Sequence, residues 1–250
     1  MFILITNDDG IQSPGIICLA DELSTLGEIV VVAPDRERSA VGHALTLHAP
    51  LRADEIRSGW YAVDGMPTDC VNLGIHGLIK RTPDLVVSGI NRGGNLGDDI
   101  TYSGTVAAAM EATLMGVPAF AISLVEGPYG YADFKPAARV AHGLSRLIAT
   151  HGLPRDTFFN VNVPPGDPGE AVITRQGKRR YEDLVVENVD PRGRTYYWIG
   201  GGKPGFEDQA GTDFHAIEKG KTSLTPLHLD LTNYRAMEEL HNWPLGALDV

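Results

Sequence analysis

The chain has 250 residues, of which 43% are hydrophobic and 21% are charged, so it is long enough for one large domain, or for a domain with an appendage. Its formal net charge of −11 at pH 7 argues against binding to nucleic acid duplexes. No signal peptide and no membrane-spanning run is recognisable, so a cytoplasmic protein without membrane partners is expected. The two cysteines, Cys18 and Cys70, lie in apolar surroundings, which favours buried thiols over disulfides or zinc sites.

Strand-like apolar runs alternate with helix-like segments over the first two thirds of the chain. Strands are predicted at residues 2–5, 29–32, 85–87, 119–122 and 158–163, where apolar and β-branched residues dominate. Helices are predicted at residues 14–23, 68–79, 105–115 and 136–150, from helical spacing, N-cap residues, strong helix formers or a first-turn proline. This alternation indicates an α/β fold with a mainly parallel sheet.

Two further regions depart from this alternation. Residues 44–51 and 60–63 are β-like, so an inserted hairpin is predicted near residues 44–63. Beyond residue 165 come a basic cluster, an aromatic strand-like run at 196–198 and a glycine-rich loop at 200–205. We expect a core over residues 1–165 and a β-rich C-terminal arm and tail over residues 166–250. Aromatic residues of the arm, such as Tyr181 and Trp198, would be costly to leave in water, which favours packing on a second copy of the chain.

Two adjacent carboxylates, Asp8 and Asp9, end the first predicted strand. In an open parallel sheet, ligands bind beyond the carboxyl ends of the strands. Two neighbouring negative charges there are tolerable if they are solvated or if a cation lies between them. Oxygen ligands suit Mg²⁺ or Mn²⁺, so a metal site and a solvated turn are the two interpretations.

A glycine-rich stretch, SGINRGGNLGDDITYSGTVAAAMEA, follows the strand at 85–87. Ser103, Gly104 and Thr105 would place hydroxyl groups and free amides at the start of a helix, where phosphate is readily bound. The alternative is an ordinary loop that leads into a capped helix. The stretch lacks the ending of a Walker loop and the spacing of a dinucleotide fingerprint.

The loop after the second strand, APDRERSAVGHALTL, supplies further candidates. Ser39 offers a neutral oxygen to a metal, while Arg36 and Arg38 suit phosphate and His43 suits proton transfer. Each of these residues alone is more typical of an ordinary surface loop. They become candidates because three loops, each with oxygen ligands or anion donors, are expected at the same edge of the sheet.

Together these motifs resemble one known family. The stretches ILITNDDG, APDRERSAVGHALTL, GMPTDCV, SGINRGGNLGDDITYSGTVAAAMEA and TSLTPLHLDLT are similar to those of the SurE (survival protein E) family of metal-dependent nucleoside monophosphate phosphatases. The resemblance implies a Rossmann-like core with helices on both faces of the sheet. It also implies a homodimer or homotetramer formed by exchange of the C-terminal arm. The expected activity is that of a 5′-nucleotidase, with 3′-nucleotidase and exopolyphosphatase activities as further expectations.

The resemblance also implies roles for individual residues. One divalent ion per subunit, Mg²⁺ or Mn²⁺, would be held by four ligands: Asp8, Asp9, Ser39 and Asn91. The residues expected to bind substrate or phosphate are Asn95, Ser103, Gly104, Thr105 and His43. The residues expected to carry catalysis are Asp8, Asp9, Asn95 and Ser103. The general acid is left open, with His43 as a candidate.

Three other functions compete with this one. In an aspartyl-phosphate phosphatase, Asp8 or Asp9 would be the nucleophile. A zinc deacetylase would need histidine ligands near the Asp pair, and no histidine precedes His43. A non-catalytic metal- or nucleotide-binding module is the third. Because adjacent side chains of an extended chain point apart, the metal site requires a bent turn, for which Gly10 is the candidate.

Overall fold

The structure is a computed structural model that describes residues 1–180, 185–199 and 205–245. Tyr181 and most of the predicted glycine-rich loop at 200–205 lie outside the described residues. The strands are β1 (Phe2–Thr6), β2 (Glu28–Pro34), β3 (Ala53–Arg57), β4 (Trp60–Val63), β5 (Leu85–Arg92), β6 (Ala119–Leu124), β7 (Thr157–Val163), β8 (Ala171–Ile173), β9 (Arg179–Arg180), β10 (Val185–Val189), β11 (Thr195–Ile199), β12 (Gly205–Phe206) and β13 (Thr222–His228). The helices are α1 (Pro14–Leu23), α2 (Pro67–Leu73), α3 (Gly104–Leu114), α4 (Lys135–His151), α5 (Asp213–Glu218) and α6 (Tyr234–Leu240).

A nine-stranded sheet, in the order β3-β4-β2-β1-β5-β6-β7-β13-β8, forms the centre of the molecule. The six strands from β4 to β7 in this order are parallel to one another. All five strands predicted from apolar runs are present, and the α/β fold is confirmed. Across the described residues, no helix has the length and apolar character needed to cross a lipid bilayer.

Helices cover both faces of the sheet. On one face α1 and α4 pack against each other and against the sheet, around a cluster that includes Phe120, Phe134 and Ile16. On the other face α2 and α3 pack together around a cluster that includes Phe158 and Leu4. Each of these large side chains is fully buried, which contributes roughly 1.5–3 kcal/mol per side chain. This double covering explains why the strands read as continuous apolar runs.

The chain changes direction in the sheet at the boundary between β1 and β5. From β1 the chain crosses over to β2 on one side, whereas β5, β6 and β7 progress in order on the other side. In doubly wound sheets such a switch point opens a crevice at the carboxyl ends of the two strands. The residues after β1 and at the end of β5 therefore face one crevice.

Two boundaries differ from those predicted. The hairpin consists of β3 and β4, joined through Gly59, and residues 44–51 form no strand. β4 pairs in parallel with β2, so the hairpin is an edge of the main sheet instead of an insertion. The sheet also continues past residue 165, because β13 pairs with β7 and β8 pairs with β13. Long-range pairing of this kind has no local sequence signal, since strand propensity depends on the partners.

Gly15 provides a test of how closely α1 approaches the sheet. A Cβ atom at Gly15 would lie 2.1 Å from the carbonyl oxygen of Ile90, whereas one at Gly143 in α4 would meet no atom within 4 Å. We expect Gly15→Ala to lower the free energy of unfolding by about 1–3 kcal/mol, as overpacking does. The matched control Gly143→Ala should raise it by about 0.5–1 kcal/mol through helix propensity. Urea denaturation measures both, and a stable Gly15→Ala variant would contradict the packing described.

Candidate metal and phosphate site

The turn after β1 is bent, as two adjacent ligands require. Gly10 has a φ of 94°, and a Cβ atom there would lie 3.0 Å from the carbonyl carbon of Arg36. The buried side chain of Asn7 donates hydrogen bonds to the Gly10 carbonyl oxygen (3.0 Å) and to Ser13 Oγ (2.8 Å). Position 10 therefore requires glycine, both for its positive φ and for the lack of space for a side chain. The hydrogen bonds of Asn7 hold the turn in this conformation.

Asp8 lies against the N-terminus of α3. The Thr105 hydroxyl group donates to Asp8 Oδ1 (2.5 Å) and the Thr105 amide donates to Asp8 Oδ2 (3.2 Å). A Cβ atom at Gly104 would lie 3.0 Å from Asp8 Cβ, so this approach requires glycine. Burial, opposed by the Thr105 hydrogen bonds and reinforced by the charge of Asp9, raises the pKa of Asp8 to about 6. A cation nearby would stabilise the charged form of this buried carboxylate.

Asp9 points to a different partner. Its Oδ1 accepts from Arg92 Nε (2.9 Å) and its Oδ2 accepts from the Arg92 backbone amide (3.0 Å). Arg92 Nη2 also donates to Glu37 Oε2 (2.9 Å), and the Ser39 hydroxyl group donates to Glu37 Oε1 (2.7 Å). Asp9, Arg92, Glu37 and Ser39 thus form one hydrogen-bonded chain across the crevice. The hydrogen bonds to Asp9 and its charge raise the pKa of Arg92 further, so this side chain stays cationic.

Backbone contacts bring the four expected metal ligands to the same crevice. The amide of Arg38, next to Ser39, donates to the Asp8 carbonyl oxygen (2.7 Å). The bond from the Arg92 amide to Asp9 places Asn91 beside the same turn. Three loops, which follow β1, β2 and β5, therefore meet at the switch point.

The donor set fits a hard divalent ion. Ser39 and Asn91 each direct their hydrogen atoms elsewhere: the Ser39 hydroxyl group donates to Glu37, and Asn91 Nδ2 donates to the Gly93 carbonyl oxygen (2.8 Å). Among the described residues neither oxygen accepts a hydrogen bond, so both can offer lone pairs to a cation. Two carboxylates and two neutral oxygens are ligands that Mg²⁺ and Mn²⁺ accept. The Arg92 guanidinium group at Asp9 already neutralises part of the negative charge of the two carboxylates.

The expected phosphate ligands occupy three different environments. Ser103 caps α3, because its Oγ accepts from the Val106 amide (3.1 Å), and its hydroxyl hydrogen is left for another acceptor. Thr105 is fully buried and both of its donors bind Asp8, so here it positions Asp8. Asn95 is 7% exposed, and its side-chain amide donates to Ser123 Oγ (2.8 Å). Asn95 thus anchors the glycine-rich loop to the sheet.

His43 is held by a buried acid that the sequence reasoning missed. Its Nε2 lies 2.6 Å from Glu111 Oε2, and Asn72 Nδ2 donates to Glu111 Oε1 (2.5 Å). With Nε2 engaged, His43 has Nδ1 for a reacting group. Glu111 lies in α3, within the stretch AAAMEA. The available sequence signal was a single acidic residue among alanines on a helix that is buried.

The two arginines expected to meet phosphate are paired elsewhere. Arg36 forms an ion pair with Asp35 (2.6 Å), and Arg38 Nη2 donates to the Asp64 carbonyl oxygen (3.1 Å). The arginine that contacts Asp9 is Arg92, which no sequence motif marked. The available sequence signal was its position directly after Asn91, at the end of a strand that reaches the crevice.

A doubly wound sheet with paired carboxylates and a helix N-terminus at its switch point defines a class of α/β proteins suited to metal-assisted chemistry on phosphorylated ligands. The profile of the survival protein SurE family matches residues 3–183. The chain is 63% identical to the 5′-nucleotidase SurE of Syntrophotalea carbinolica, over 98% of both chains. It is 62% identical to that of Geobacter sulfurreducens, over 99% of this chain and 95% of the relative. The chain belongs to the SurE family.

A solved structure gives the same result for the fold. The crystal structure of the SurE protein from Aquifex aeolicus matches with a TM-score of 0.86 and 45% sequence identity, over 96% of this chain and 98% of that chain. Because identity of this order extends over nearly the whole of both chains, the likeness includes the C-terminal region as well as the core.

Arg92 and a bound dication would compete for Asp9. We expect Arg92→Gln to tighten Mn²⁺ binding by about threefold to tenfold, since a unit charge beside a dication costs on the order of 1 kcal/mol near solvent. Arg36→Gln is the matched control, because Arg36 lines the same groove but is paired with Asp35. Isothermal titration with Mn²⁺ measures the dissociation constants. Equal affinities of wild type and Arg92→Gln would contradict the competition.

Proposed function

We propose that the protein is a divalent-metal-dependent 5′-nucleotidase that hydrolyses nucleoside monophosphates to nucleoside and phosphate. The observation that supports this proposal is the contact of Asp8 with the N-terminus of α3, together with the approach of the loops that carry Ser39 and Asn91 to the Asp8–Asp9 turn. The names of the relatives, which are identical at about three positions in five, support the choice of substrate.

The proposed metal is one Mg²⁺ or Mn²⁺ ion per subunit, held by Asp8, Asp9, Ser39 and Asn91. When bound, such an ion supplies Lewis-acid polarisation of a phosphoryl oxygen and lowers the pKa of a coordinated water. Thr105 orients Asp8, and Glu37 accepts the Ser39 hydroxyl hydrogen. These contacts fix the ligands in advance, which limits reorganisation during the reaction.

The remaining residues are proposed to bind and stabilise the phosphoryl group. The Ser103 hydroxyl group and the Gly104 amide lie at the positive end of α3, where a phosphate dianion is stabilised. Asn95 holds the glycine-rich loop in place through Ser123. His43, positioned by Glu111, is the proposed donor of a proton to the leaving group through Nδ1.

The competing functions receive less support. Both oxygens of Asp8 accept hydrogen bonds from Thr105, and both oxygens of Asp9 accept from Arg92, which disfavours either carboxylate as a nucleophile. His43 binds Glu111 instead of the carboxylate pair, which disfavours a deacetylase zinc site. Release of phosphate from nucleoside 5′-monophosphates would distinguish an enzyme from a binding module. The same assay with 3′-monophosphates and short polyphosphate tests the 3′-nucleotidase and exopolyphosphatase activities.

Asp8→Asn tests the proposed function. We expect hydrolysis of adenosine 5′-monophosphate with Mn²⁺ to fall by about 100-fold or more, because one charge of the preorganised site is lost. The metal-free variant should unfold at the same or a higher temperature than wild type, because a buried charge without a cation destabilises the fold. The control Asp54→Asn, on the exposed face of β3, should change neither property. Phosphate release and thermal unfolding are the measurements, and undiminished turnover at saturating Mn²⁺ would reject Asp8 as a ligand.

We also propose that the β10–β11 hairpin is the arm that joins subunits. All ten of its residues are exposed, and apolar side chains lie on both faces: Val186 pairs with Trp198 on one face, and Val185 pairs with Ile199 on the other. A two-stranded hairpin is marginally stable alone and is stabilised by packing on another surface. Exchange with a second copy covers both faces in a homodimer, on which a homotetramer can be built.

The cytoplasmic location stays a prediction.

Light scattering tests the assembly. We expect the wild-type protein to have at least twice the subunit mass of 26.9 kDa at micromolar concentration. Trp198→Glu should shift it towards monomers, because a charge cannot be buried without a partner in a subunit interface. Glu187→Gln, on the same hairpin, is the control and should leave the mass unchanged. A monomeric wild-type protein would contradict the proposal.

A further inference from the structure

A second cavity lies at the same edge of the sheet as the carboxylate pair. Its volume is about 750 Å³, within the usual range of small-molecule sites. Its near wall consists of Gly94 and Leu96 from the glycine-rich loop and Val125 and Glu126 after β6. The far wall consists of the residues Pro165, Arg179, Phe206, Phe214, Ile217 and Glu218. The cavity therefore opens at the carboxyl ends of β5, β6 and β7.

This cavity adjoins the proposed metal site. Neighbouring strands are about 4.8 Å apart, so the ends of β1 and β6 are separated by about 10 Å. The glycine-rich loop connects the two places, because Arg92 contacts Asp9 and Gly94, two residues further along the chain, lines the cavity. Tyr129 lies beside the near wall, where its hydroxyl group donates to the Val125 carbonyl oxygen (3.2 Å). A ligand that spans the length of a nucleotide can reach from one place to the other.

The lining suits a flat, uncharged ring. Phe206 and Phe214 stack with parallel rings whose centroids are 4.8 Å apart, and Leu96, Val125 and Ile217 add apolar surface. Arg179, the one cation among the described lining residues, is ion-paired with Asp99 and lies over the Phe214 ring, so it is not left for a second phosphate. Two carboxylates, Glu126 and Glu218, supply hydrogen-bond acceptors.

We propose that this cavity binds the nucleobase of the substrate, an inference that rests on the proposed nucleotidase function. The base stacks against the aromatic pair at the far wall, as bases do on aromatic side chains. The ribose passes the near wall, to which Glu126 belongs. Glu218, on α5 at the far wall, accepts a hydrogen bond from an exocyclic amino group of the base.

This placement predicts a preference among bases. A carboxylate attracts the amino group of cytosine or adenine and repels the carbonyl oxygen that uracil or hypoxanthine has at the same position. Cytidine monophosphate should therefore exceed uridine monophosphate in kcat/KM, and adenosine monophosphate should exceed inosine monophosphate, by about fivefold or more. All four should exceed ribose 5-phosphate, which lacks a base, by about tenfold or more.

Two variants locate the base. Ile217→Trp fills the cavity and should abolish the advantage of the nucleotides over ribose 5-phosphate, with turnover of ribose 5-phosphate unchanged. Glu218→Gln should remove the preference for amino bases but keep the advantage over ribose 5-phosphate. Glu238→Gln, at an exposed position on α6, is the control and should change neither ratio. The measurements are kcat/KM values for the five phosphate esters with Mn²⁺ on the full-length enzyme.

The outcomes separate the cavity from the activity. Nucleotide preferences that survive both variants, or a loss that is equal for ribose 5-phosphate and the nucleotides, would overturn the base site. If the wild type hydrolyses none of the esters, the proposed function fails, and titration calorimetry with adenosine then decides the cavity alone. Adenosine binding that Ile217→Trp removes would support the site, and absence of binding to wild type would overturn it.

Discussion

The contact between Asp8 and the N-terminus of α3 is the interaction on which the rest of the site depends. It joins the end of β1 to the helix that follows the glycine-rich loop, and thereby fixes the position of that loop relative to the carboxylate pair. The contact favours glycine at position 104, since a Cβ atom there would lie only 3.0 Å from Asp8 Cβ. A buried carboxylate at a helix N-terminus is partly stabilised by the helix dipole, but burial remains the largest influence on its pKa. The fold therefore holds a charge that a bound cation would stabilise further.

The crevice balances charge through a chain of side chains. Asp9 and Glu37 share Arg92, and Glu37 in turn orients Ser39. The hydrogen bond from Ser39 and the charge of Arg92 lower the pKa of Glu37, so the chain keeps its charges at neutral pH. This arrangement keeps the loops after β1, β2 and β5 together without a metal. A metal bound at Asp9 would have to compete with Arg92, a residue outside the proposed ligand set.

A second buried carboxylate, Asp213, connects the C-terminal region to the glycine-rich loop. Its oxygens accept hydrogen bonds from the amides of Gly97, Gly177 and Phe214, and burial raises its pKa in spite of these bonds. Asp213 thereby fixes the far wall of the second cavity relative to the loop that leads to α3. The C-terminal region thus supplies walls of the second cavity as well as the hairpin.

Local sequence patterns determined the secondary structure and the class of chemistry. The apolar runs, the proline and glycine positions and the Ala-rich helix predicted the five central strands and four helices, because burial on both faces and capping are local requirements. Paired carboxylates after a strand, and a Ser-Gly-Thr before a helix, likewise marked the edge of the sheet at which the proposed site lies. Tertiary structure alone decided which donors remain available: Thr105 binds Asp8, Asn95 binds Ser123, and Arg92 reaches Asp9. It alone also decided that β13 joins the central sheet. These contacts connect residues far apart in the chain, and their partners depend on how the elements pack, which no local pattern specifies.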